Sequence, residues 1–216
     1  MSVLLFEDFT KLYKRWNSGE LRKENKYEFV DLGLPSGTLW ATCNVGSSDV
    51  LDPGGFFAWG ELNEKDVYNE NTYNYDKKYL DKDFAKSLIG SNCRIPTKED
   101  FEELYKYCRK EISKYNDTEV IVFTPKKCRK KNKPTIMFPL CGYKLTNTVP
   151  VFGYKPMTST LRMEGETTLL WTVDYSKEFG KAICIKLGLG YNDMEIKNIH
   201  TYWGCNLRPI KNKDDQ

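Results

Sequence analysis

Residues 27–46 have the sequence YEFVDLGLPSGTLWATCNVG, in which two apolar runs, 27–32 and 39–45, flank a short segment rich in Gly, Pro and Ser. Runs of this length bounded by Gly and Pro are typical of β-strands joined by a turn. The segment therefore predicts that the domain begins with two strands. The other predicted strands are 56–59, 119–124, 135–140, 169–175, 182–187, 194–199 and 206–210.

One strong helix signal interrupts these strands. Thr97 precedes Glu99 and Asp100, so its side chain can cap the free amides while the acidic groups favour the positive end of the helix. The spacing of the apolar residues that follow predicts a single buried face. That face comprises Phe101, Leu104, Tyr105, Cys108 and Ile112. We expect it to pack against the sheet.

The N-terminal segment predicts a second, separate helix over residues 3–16. Its apolar stripe comprises Leu5, Phe9, Leu12 and Trp16, at spacings of four, three and four residues. The stripe can pack on the chain's own domain, or it can dock on another chain as an oligomerisation arm. The polar stretch that follows, NSGELRKENK, is typical of a linker and favours the arm. We therefore divide the chain into a helix and linker, 1–26, and a domain, 27–216.

The composition excludes some classes of protein. The 216 residues carry 33 basic and 30 acidic side chains, a net charge of +3, so no general affinity for nucleic acid is expected. No apolar run approaches the roughly 20 residues that a membrane-spanning helix needs. Glu7 and Asp8 interrupt the apolar N-terminus, which is not the pattern of a secretory signal. The chain is therefore expected to stay in the cytoplasm until lysis.

Neither the cysteines nor the single histidine forms a recognisable catalytic or metal-binding pattern. The seven cysteines are widely spaced and no CxxC pair occurs, so reduced, buried thiols are expected and a zinc site is not. His200 lies in a strand-like run, with no nucleophile motif around any Ser or Cys, which favours a structural role. Nucleotide-binding glycine motifs are also absent from the sequence. We predict no catalytic residue, metal or cofactor.

Six blocks occur in a fixed order along residues 27–211. They are VDLGLPSGTLWAT, GFFAWGE, CRIPTKEDF, MFPLCGY, LWT and NLRPI, which begin at residues 30, 55, 93, 137, 170 and 206. In this order the chain resembles the Fibrobacter succinogenes major paralogous domain family. The resemblance implies an α+β, C-type-lectin-like fold, with a twisted, mostly antiparallel sheet, flanking helices and long loops. Family members resemble surface or adhesion modules of Bacteroides-type gut bacteria and their phages, with no general enzymatic activity.

Within these blocks the aromatic residues are expected to be scaffold. Trp40, Trp59 and Trp171 are predicted to anchor the core. Two positions depart from the family pattern: Cys93 stands where a Trp is usual, and Tyr202-Trp203 forms an aromatic pair before the closing block. Whether that pair belongs to the core or to a contact surface is open at this point.

Two related chemistries fit the chain poorly. Formylglycine-generating enzymes share the fold superfamily, but Cys184 and Cys205 lie 21 residues apart without the local motif of those enzymes. The segment Tyr191-Asn192-Asp193 resembles half of a lectin calcium motif, and a simple turn is favoured because calcium takes six to eight oxygen ligands. We retain Asp174, Tyr191, Asn192 and Asp193 as candidate ligand-binding residues.

The densest charge run is Lys126–Lys133, between two predicted strands. A solvated hairpin loop is favoured, and an anionic partner stays the alternative.

Taken with the resemblance, these features predict a non-catalytic structural or recognition protein. A phage virion component, such as a capsid decoration, head fibre or tail-associated protein, reconciles a family of surface modules with the absence of a secretory signal. Its expected partners are other virion proteins, bound through the N-terminal helix in an oligomer, and a glycan or cell-surface ligand. The alternative is a bacterial surface adhesion or glycan-binding module, and a third reading is an enzyme of unrecognised chemistry.

Deleting residues 1–17 tests the arm. Burial of each large apolar side chain of the stripe would contribute about 1.5–3 kcal/mol before ordering costs. We expect the truncated chain to fold and to lose its place in the particle or oligomer, as measured by co-sedimentation. Full occupancy would move docking elsewhere, and loss of folding would show that the helix belongs to its own domain.

Overall fold

The computed structural model describes residues 27–74, 89, 92–128, 133–146, 159–190 and 194–213. The predicted N-terminal helix, with Leu5, Phe9, Leu12 and Trp16, and the linker lie outside these residues, as do Tyr191, Asn192 and Asp193. Over the described part of the chain, no helix has the length and apolar character needed to cross a bilayer.

The described residues form eleven strands, one α-helix and one short 3₁₀-helix. The strands are β1 Phe29–Asp31, β2 Thr38–Ala41, β3 Cys108–Tyr115, β4 Thr118–Pro125, β5 Ile136–Pro139, β6 Cys141–Leu145, β7 Thr160–Glu164, β8 Thr167–Tyr175, β9 Lys181–Gly188, β10 Met194–His200 and β11 Ile210–Asn212. Helix α1 spans Lys98–Tyr107 and the 3₁₀-helix spans Glu70–Thr72.

The strands form three sheets. The largest has the order β10-β9-β8-β6-β7, in which only the β6–β8 pair is parallel. Two three-stranded antiparallel sheets, β1-β2-β11 and β3-β4-β5, complete the described structure. Most pairs join strands that are neighbours in sequence, and β11 crosses back to β2 from the far end of the chain.

The predicted fold class, α+β with a C-type-lectin-like arrangement, is wrong. Strand accounts for 45% of the structure and helix for 9%, and the described chain has one α-helix rather than helices flanking a single sheet. One contribution comes from residues 108–112, whose apolar spacing predicted a continuation of the helix. They instead pair with β4 through a two-residue turn, Asn116-Asp117, whose φ angles of 47° and 64° match the hairpin turns that suit twisted strands.

Helix α1 confirms part of the predicted apolar face. Phe101 and Leu104 are buried on the helix, and Cys108 is buried as the first residue of β3. Tyr105 is exposed, and Ile112, with 47% of its surface exposed, lies in β3. The prediction was wrong for Ile112 because the helix ends at Tyr107 and this residue belongs to a strand. Tyr105 lies within the helix but on the side that is turned to solvent.

The predicted N-cap of α1 is confirmed. Thr97 Oγ1 accepts from the Asp100 amide at 3.2 Å, and Asp100 Oδ2 accepts from the Thr97 amide at 2.7 Å, a reciprocal capping box. Asp100 also forms a two-pronged ion pair with Arg94. Burial by itself would raise the pKa of Asp100, but the hydrogen bonds from Arg94 and Thr97 outweigh it and hold the pKa below its usual value.

Alternate residues of β8 supply two hydrophobic cores, one on each face of the large sheet. Leu169 and Trp171 pack in a core that includes Trp59, and Leu170 packs in the other, which includes Trp40. The three tryptophans are buried, which confirms their predicted role as core anchors. A strand buried on both faces explains why Leu169, Leu170 and Trp171 are consecutive apolar residues rather than alternating with polar ones.

Hydrogen bonds join all six sequence blocks to one another. Trp59 Nε1 donates to the Thr172 carbonyl and Trp171 Nε1 donates to the Phe57 carbonyl, each at 2.8 Å, which ties the second block to the fifth. Arg94 and Ile210 exchange two backbone hydrogen bonds, which tie the third block to the last. The blocks therefore form one interconnected scaffold.

Arg208 lies at the centre of this scaffold and is fully buried. Its Nε donates to Asn44 Oδ1, and its two terminal nitrogens donate to the carbonyls of Ala41 and Met137, each at 2.9 Å. The guanidinium lies 4.4 Å from the centre of the Phe138 ring. Burial lowers the pKa of Arg208 to about 10, so the group is still charged at neutral pH.

Asn206 forms a second buried junction. Its side-chain amide donates to the carbonyls of Pro53 and Gly55 at 3.0 and 2.9 Å, and its oxygen accepts from the Cys141 thiol at 2.9 Å. Asn44 donates to the same Pro53 carbonyl at 2.9 Å, so the Arg208 and Asn206 junctions are connected. Buried polar groups that are all partnered in this way specify one arrangement of the elements around them.

Replacing Arg208 with Lys tests the central junction. A lysine cannot supply three donors in a planar fork, so buried acceptors lose their partners, and we expect the free energy of unfolding to fall by about 2–4 kcal/mol. Urea denaturation measures the change. Arg109→Lys, on the exposed face of β3, is the matched control and should alter stability by less than about 0.5 kcal/mol. Equal stability of the two variants would contradict a central role for Arg208.

Candidate recognition surface

Of the four predicted ligand-binding residues, the structure describes Asp174. Its Oδ2 accepts a hydrogen bond from the Lys98 backbone amide at 2.6 Å, at the first residue of α1. A carboxylate at this position satisfies a free amide and favours the positive end of the helix. Asp174 therefore joins the end of β8 to the start of the helix, a structural contact that the sequence did not indicate.

The basic run also has a structural contact. Lys126 Nζ donates to the Lys106 carbonyl at 2.7 Å, where a cation is favourable near the C-terminal end of α1. The run joins β4 to β5, which pair antiparallel, as the predicted hairpin requires. Residues 129–132 lie outside the described residues.

The structure separates the aromatic pair Tyr202-Trp203. Trp203 is half-buried, packs against the core that contains Trp59, and stacks on Tyr143 with ring centres 4.9 Å apart and planes 8° from parallel. Tyr202 is half-buried and stacks on the exposed His200, with ring centres 5.1 Å apart. Trp203 thus belongs to the rim of the core, and Tyr202 shares a surface with the single histidine.

Residue 204, directly after this pair, is a glycine because its backbone passes close to the ring of Tyr68. A Cβ atom at this position would come within 2.8 Å of the Tyr68 ring. Tyr68 is buried and its hydroxyl donates to the Phe56 carbonyl. Only glycine allows the chain to pass this close, so Gly204 sets the position from which Tyr202 and Trp203 project.

The turn between β8 and β9 carries the most exposed apolar side chain among the described residues. Phe179 is 99% exposed, and Tyr175 at the base of the same turn is 49% exposed. Together with His200 and Tyr202 on the adjoining turn, these residues form a surface that we call the aromatic tip.

The aromatic tip is held rigidly by hydrogen bonds. The Gly180 amide donates to the Tyr175 hydroxyl at 3.2 Å, and the Thr201 amide donates to the Gly180 carbonyl at 3.0 Å, which ties the two turns together. The Asn198 side chain donates to Glu178 at 2.9 Å. Below the tip, the Tyr175 ring contacts the buried Trp59 ring at 5.4 Å between centres. The exposed Phe179 is therefore presented on a fixed backbone.

The charge at the aromatic tip is mixed. Glu178 forms an ion pair with Lys181 at 2.5 Å, and hydrogen bonds from Lys181 and Asn198 lower the pKa of its carboxyl group. Lys177 adds a further cation next to Phe179. The tip thus combines apolar rings with charges of both signs, a composition suited to a contact with another macromolecule.

The cysteines are organised as core residues. Six are buried, Cys128 is partly exposed, and none forms a disulfide, which confirms the prediction of free, mostly buried thiols. Burial raises the pKa of Cys184 to about 12, and that of Cys205 well above its usual value. Neither thiol is positioned as a thiolate nucleophile at neutral pH.

Among the residues that the structure describes, no three His, Cys, Asp or Glu side chains are grouped so that they could hold a metal ion. Comparison with protein-family models, with curated proteins and with solved structures finds no match to this chain.

Sequence reasoning missed Phe179. The available signal was the segment SKEFG, residues 176–180, in which a single aromatic residue lies within a polar turn next to glycine.

The buried thiols predict a loss of stability at alkaline pH. Below the ordinary thiol pKa of about 9.0, both the folded and the unfolded chain keep these protons. Above it, the unfolded chain releases protons that the folded chain retains, so the free energy of unfolding falls by up to about 1.4 kcal/mol per thiol per pH unit until the folded pKa is reached.

Urea denaturation between pH 7 and 10.5, in the presence of a reducing agent, measures this slope. Cys184→Ala should make the slope shallower, whereas Ile183→Val on the same strand, which removes no titratable group, should leave the slope unchanged. A stability that is constant up to pH 10.5 would contradict the assignment.

Proposed function

We propose that this chain is a non-catalytic structural and recognition protein whose aromatic tip contacts a partner, and that it is a component of a phage virion. The observation that carries the recognition role is Phe179, an aromatic side chain exposed in full on a hydrogen-bonded turn. Aromatic anchors dominate the energetics of many interfaces. A fixed backbone lowers the ordering cost of binding, so such a residue is well suited to seat in a partner's pocket.

The division of labour along the chain supports the same proposal. The six blocks that resemble the Fibrobacter succinogenes major paralogous domain family make up the buried scaffold, through contacts such as those of Arg208 and Asn206. Tyr175, Phe179, His200 and Tyr202 all lie outside those blocks. A scaffold of this kind, combined with surface residues that lie outside the shared blocks, is typical of a binding module whose ligand differs from one chain to another.

The virion setting comes from the resemblance to surface modules of gut bacteria and their phages, together with the N-terminal stripe as a docking arm. The alternative setting is a bacterial surface adhesion or glycan-binding module. The stacked rings of His200 and Tyr202 favour a glycan in that case, because a flat aromatic face packs well against the apolar face of a sugar ring.

Locating the chain tests the setting. Particles banded on a density gradient should contain its peptides at a constant ratio to the major capsid protein, and antibody labelling should place it on the particle surface. Peptides confined to protease-accessible protein on uninfected bacteria would favour the adhesion module. A constant turnover of generic ester, glycoside or phosphate substrates by the purified chain would overturn the non-catalytic proposal.

Replacing Phe179 with Ser tests the aromatic tip. Because the side chain is fully exposed, we expect stability to change by less than about 0.5 kcal/mol. Loss of an interface anchor weakens binding by about 2 kcal/mol or more, which is roughly a thirtyfold increase in the dissociation constant. The measurement is adsorption of the labelled protein to whole host cells over a range of concentrations.

Leu161→Ser is the matched control, since Leu161 is an exposed apolar residue on β7, at the other edge of the large sheet. Equal adsorption by the wild type and both variants would show that the tip is not the contact surface.

A further inference from the structure

Strand β10 forms one edge of the large sheet and is its most open edge. It pairs with β9 in one continuous register over all seven residues, from Met194↔Leu187 to His200↔Lys181, without a bulge. Its sequence, MEIKNIH, contains no Pro or Gly. An edge of this length with unpaired backbone groups is a template for a further strand, and proteins commonly protect such edges.

Three other edge strands of the described sheets, β7, β5 and β3, are protected. Strand β7, at the opposite edge of the same sheet, is interrupted by Met163, whose φ of 57° is unfavourable for a strand. Strand β5 is four residues long and ends at Pro139, which has no amide hydrogen to donate. Strand β3 carries four charged side chains among its eight residues, a common guard against pairing. On β10 there are two, Glu195 and Lys197.

The pairing of β9 shows which backbone groups of β10 point outward. The Thr201 amide donates to the Gly180 carbonyl, which continues the β10–β9 register, so Thr201 and every second residue before it point toward β9. The amides and carbonyls of Met194, Ile196 and Asn198 therefore point away from the sheet. Within the part of the chain that the structure describes, they make no hydrogen bond on that side.

A second copy of β10 fits this edge in a register that opposes charges of unlike sign. Antiparallel pairing about a two-fold axis at Ile196 places Ile196 opposite its own copy and Met194 opposite Asn198. These are the outward-pointing residues, so each pair can exchange two N–H···O bonds. The same register places Glu195 of each copy opposite Lys197 of the other. These are non-hydrogen-bonded pairs, in which opposed side chains approach most closely. Shifting the axis to Lys197 instead places two lysines opposite each other.

The side chains on both faces of β10 are suited to this contact. Ile196 is 43% exposed on one face and would be covered by its own copy. On the other face, Glu195 already pairs with Lys197 and with Lys186 of β9. Pairing would place Glu195 and Lys197 of the second chain opposite Lys197 and Glu195 of the first. Opposite charges on directly opposed residues are favourable.

We infer that two copies of this chain associate through β10, in the antiparallel register centred on Ile196, to form one continuous sheet. The interface is isologous: each copy presents the same edge to the other. The inference concerns the described domain and holds for either setting under the proposed function.

Charge exchange at the two opposed positions tests this register. Glu195→Lys makes both positions basic and Lys197→Glu makes both acidic, so each variant by itself opposes like charges and should raise the dimer dissociation constant at least roughly tenfold. An equimolar mixture of the two variants should form a heterodimer with near wild-type affinity. The double variant, Glu195→Lys with Lys197→Glu, should also dimerise. Sedimentation velocity over a concentration series measures all four.

Proline substitution tests the backbone contact separately. At Ile196 the amide points away from β9, so Ile196→Pro removes an intermolecular donor and preserves the β9 ladder. We expect this variant to be a folded monomer, with a urea midpoint close to that of the wild type. The matched control is Ile112→Pro on the edge strand β3, which should leave the dimer intact.

The outcomes are distinct. A wild-type chain that is monomeric at all concentrations up to about 100 µM, or a dimer that persists unchanged in Glu195→Lys and Ile196→Pro, overturns the inference. A dimer that both variants weaken, but that the mixture of charge variants does not restore, overturns the register. Restoration by the mixture supports both the edge and the register.

Discussion

Arg208 is a buried cation with no carboxylate partner among the described residues, and the arrangement of the domain follows from how that charge is accommodated. Two backbone carbonyls, the Asn44 side chain and the face of Phe138 take the place of water and a counter-ion. The acceptors come from two segments that are distant in sequence, so the guanidinium is satisfied only when the segments around residues 41–44 and 137 are in position together. A fully buried charge is costly whenever one partner is missing, which makes this junction specific as well as stabilising.

The junction extends to the rest of the scaffold through Asn206, which lies two residues before Arg208 and binds the carbonyls of Pro53 and Gly55. Buried polar side chains thus connect the three sheets into one domain, a role that a single continuous sheet has in other proteins. The buried thiols fit the same design, because they fill space between these junctions as small apolar groups. Surface features are then free to differ: a rigid aromatic tip at the end of the β8–β9 hairpin, and beside it the open edge of β10.

Much of the strand content could be predicted from local sequence. Apolar runs between Gly, Pro and polar turns predicted β4, β5, β8, β9 and β10 to within about two residues. A short apolar run bounded by turn residues is typical of a buried strand. The capping pattern at Thr97 located the start of α1 for the same local reason. Prediction failed for β3, whose first residues continue an apolar helical period, and for β6 and β7, whose short mixed sequences carry no clear period. In each case the deciding partner is another strand, which a local pattern does not contain.

The sequence by itself determined much of the scaffold: Trp40, Trp59 and Trp171 are explained by their burial, and the start of the helix by its capping hydrogen bonds. The tertiary structure alone decided what lies at the surface. Phe179 is fully exposed on its turn, Trp203 belongs to the core rim because Tyr143 lies against it, and Asp174 accepts a hydrogen bond from the start of α1 because β8 ends beside that helix. The exposure of a side chain and the identity of its contacts depend on which distant segments meet. In this chain, the long-range pairing of strands and the buried Arg208 junction decide which segments meet.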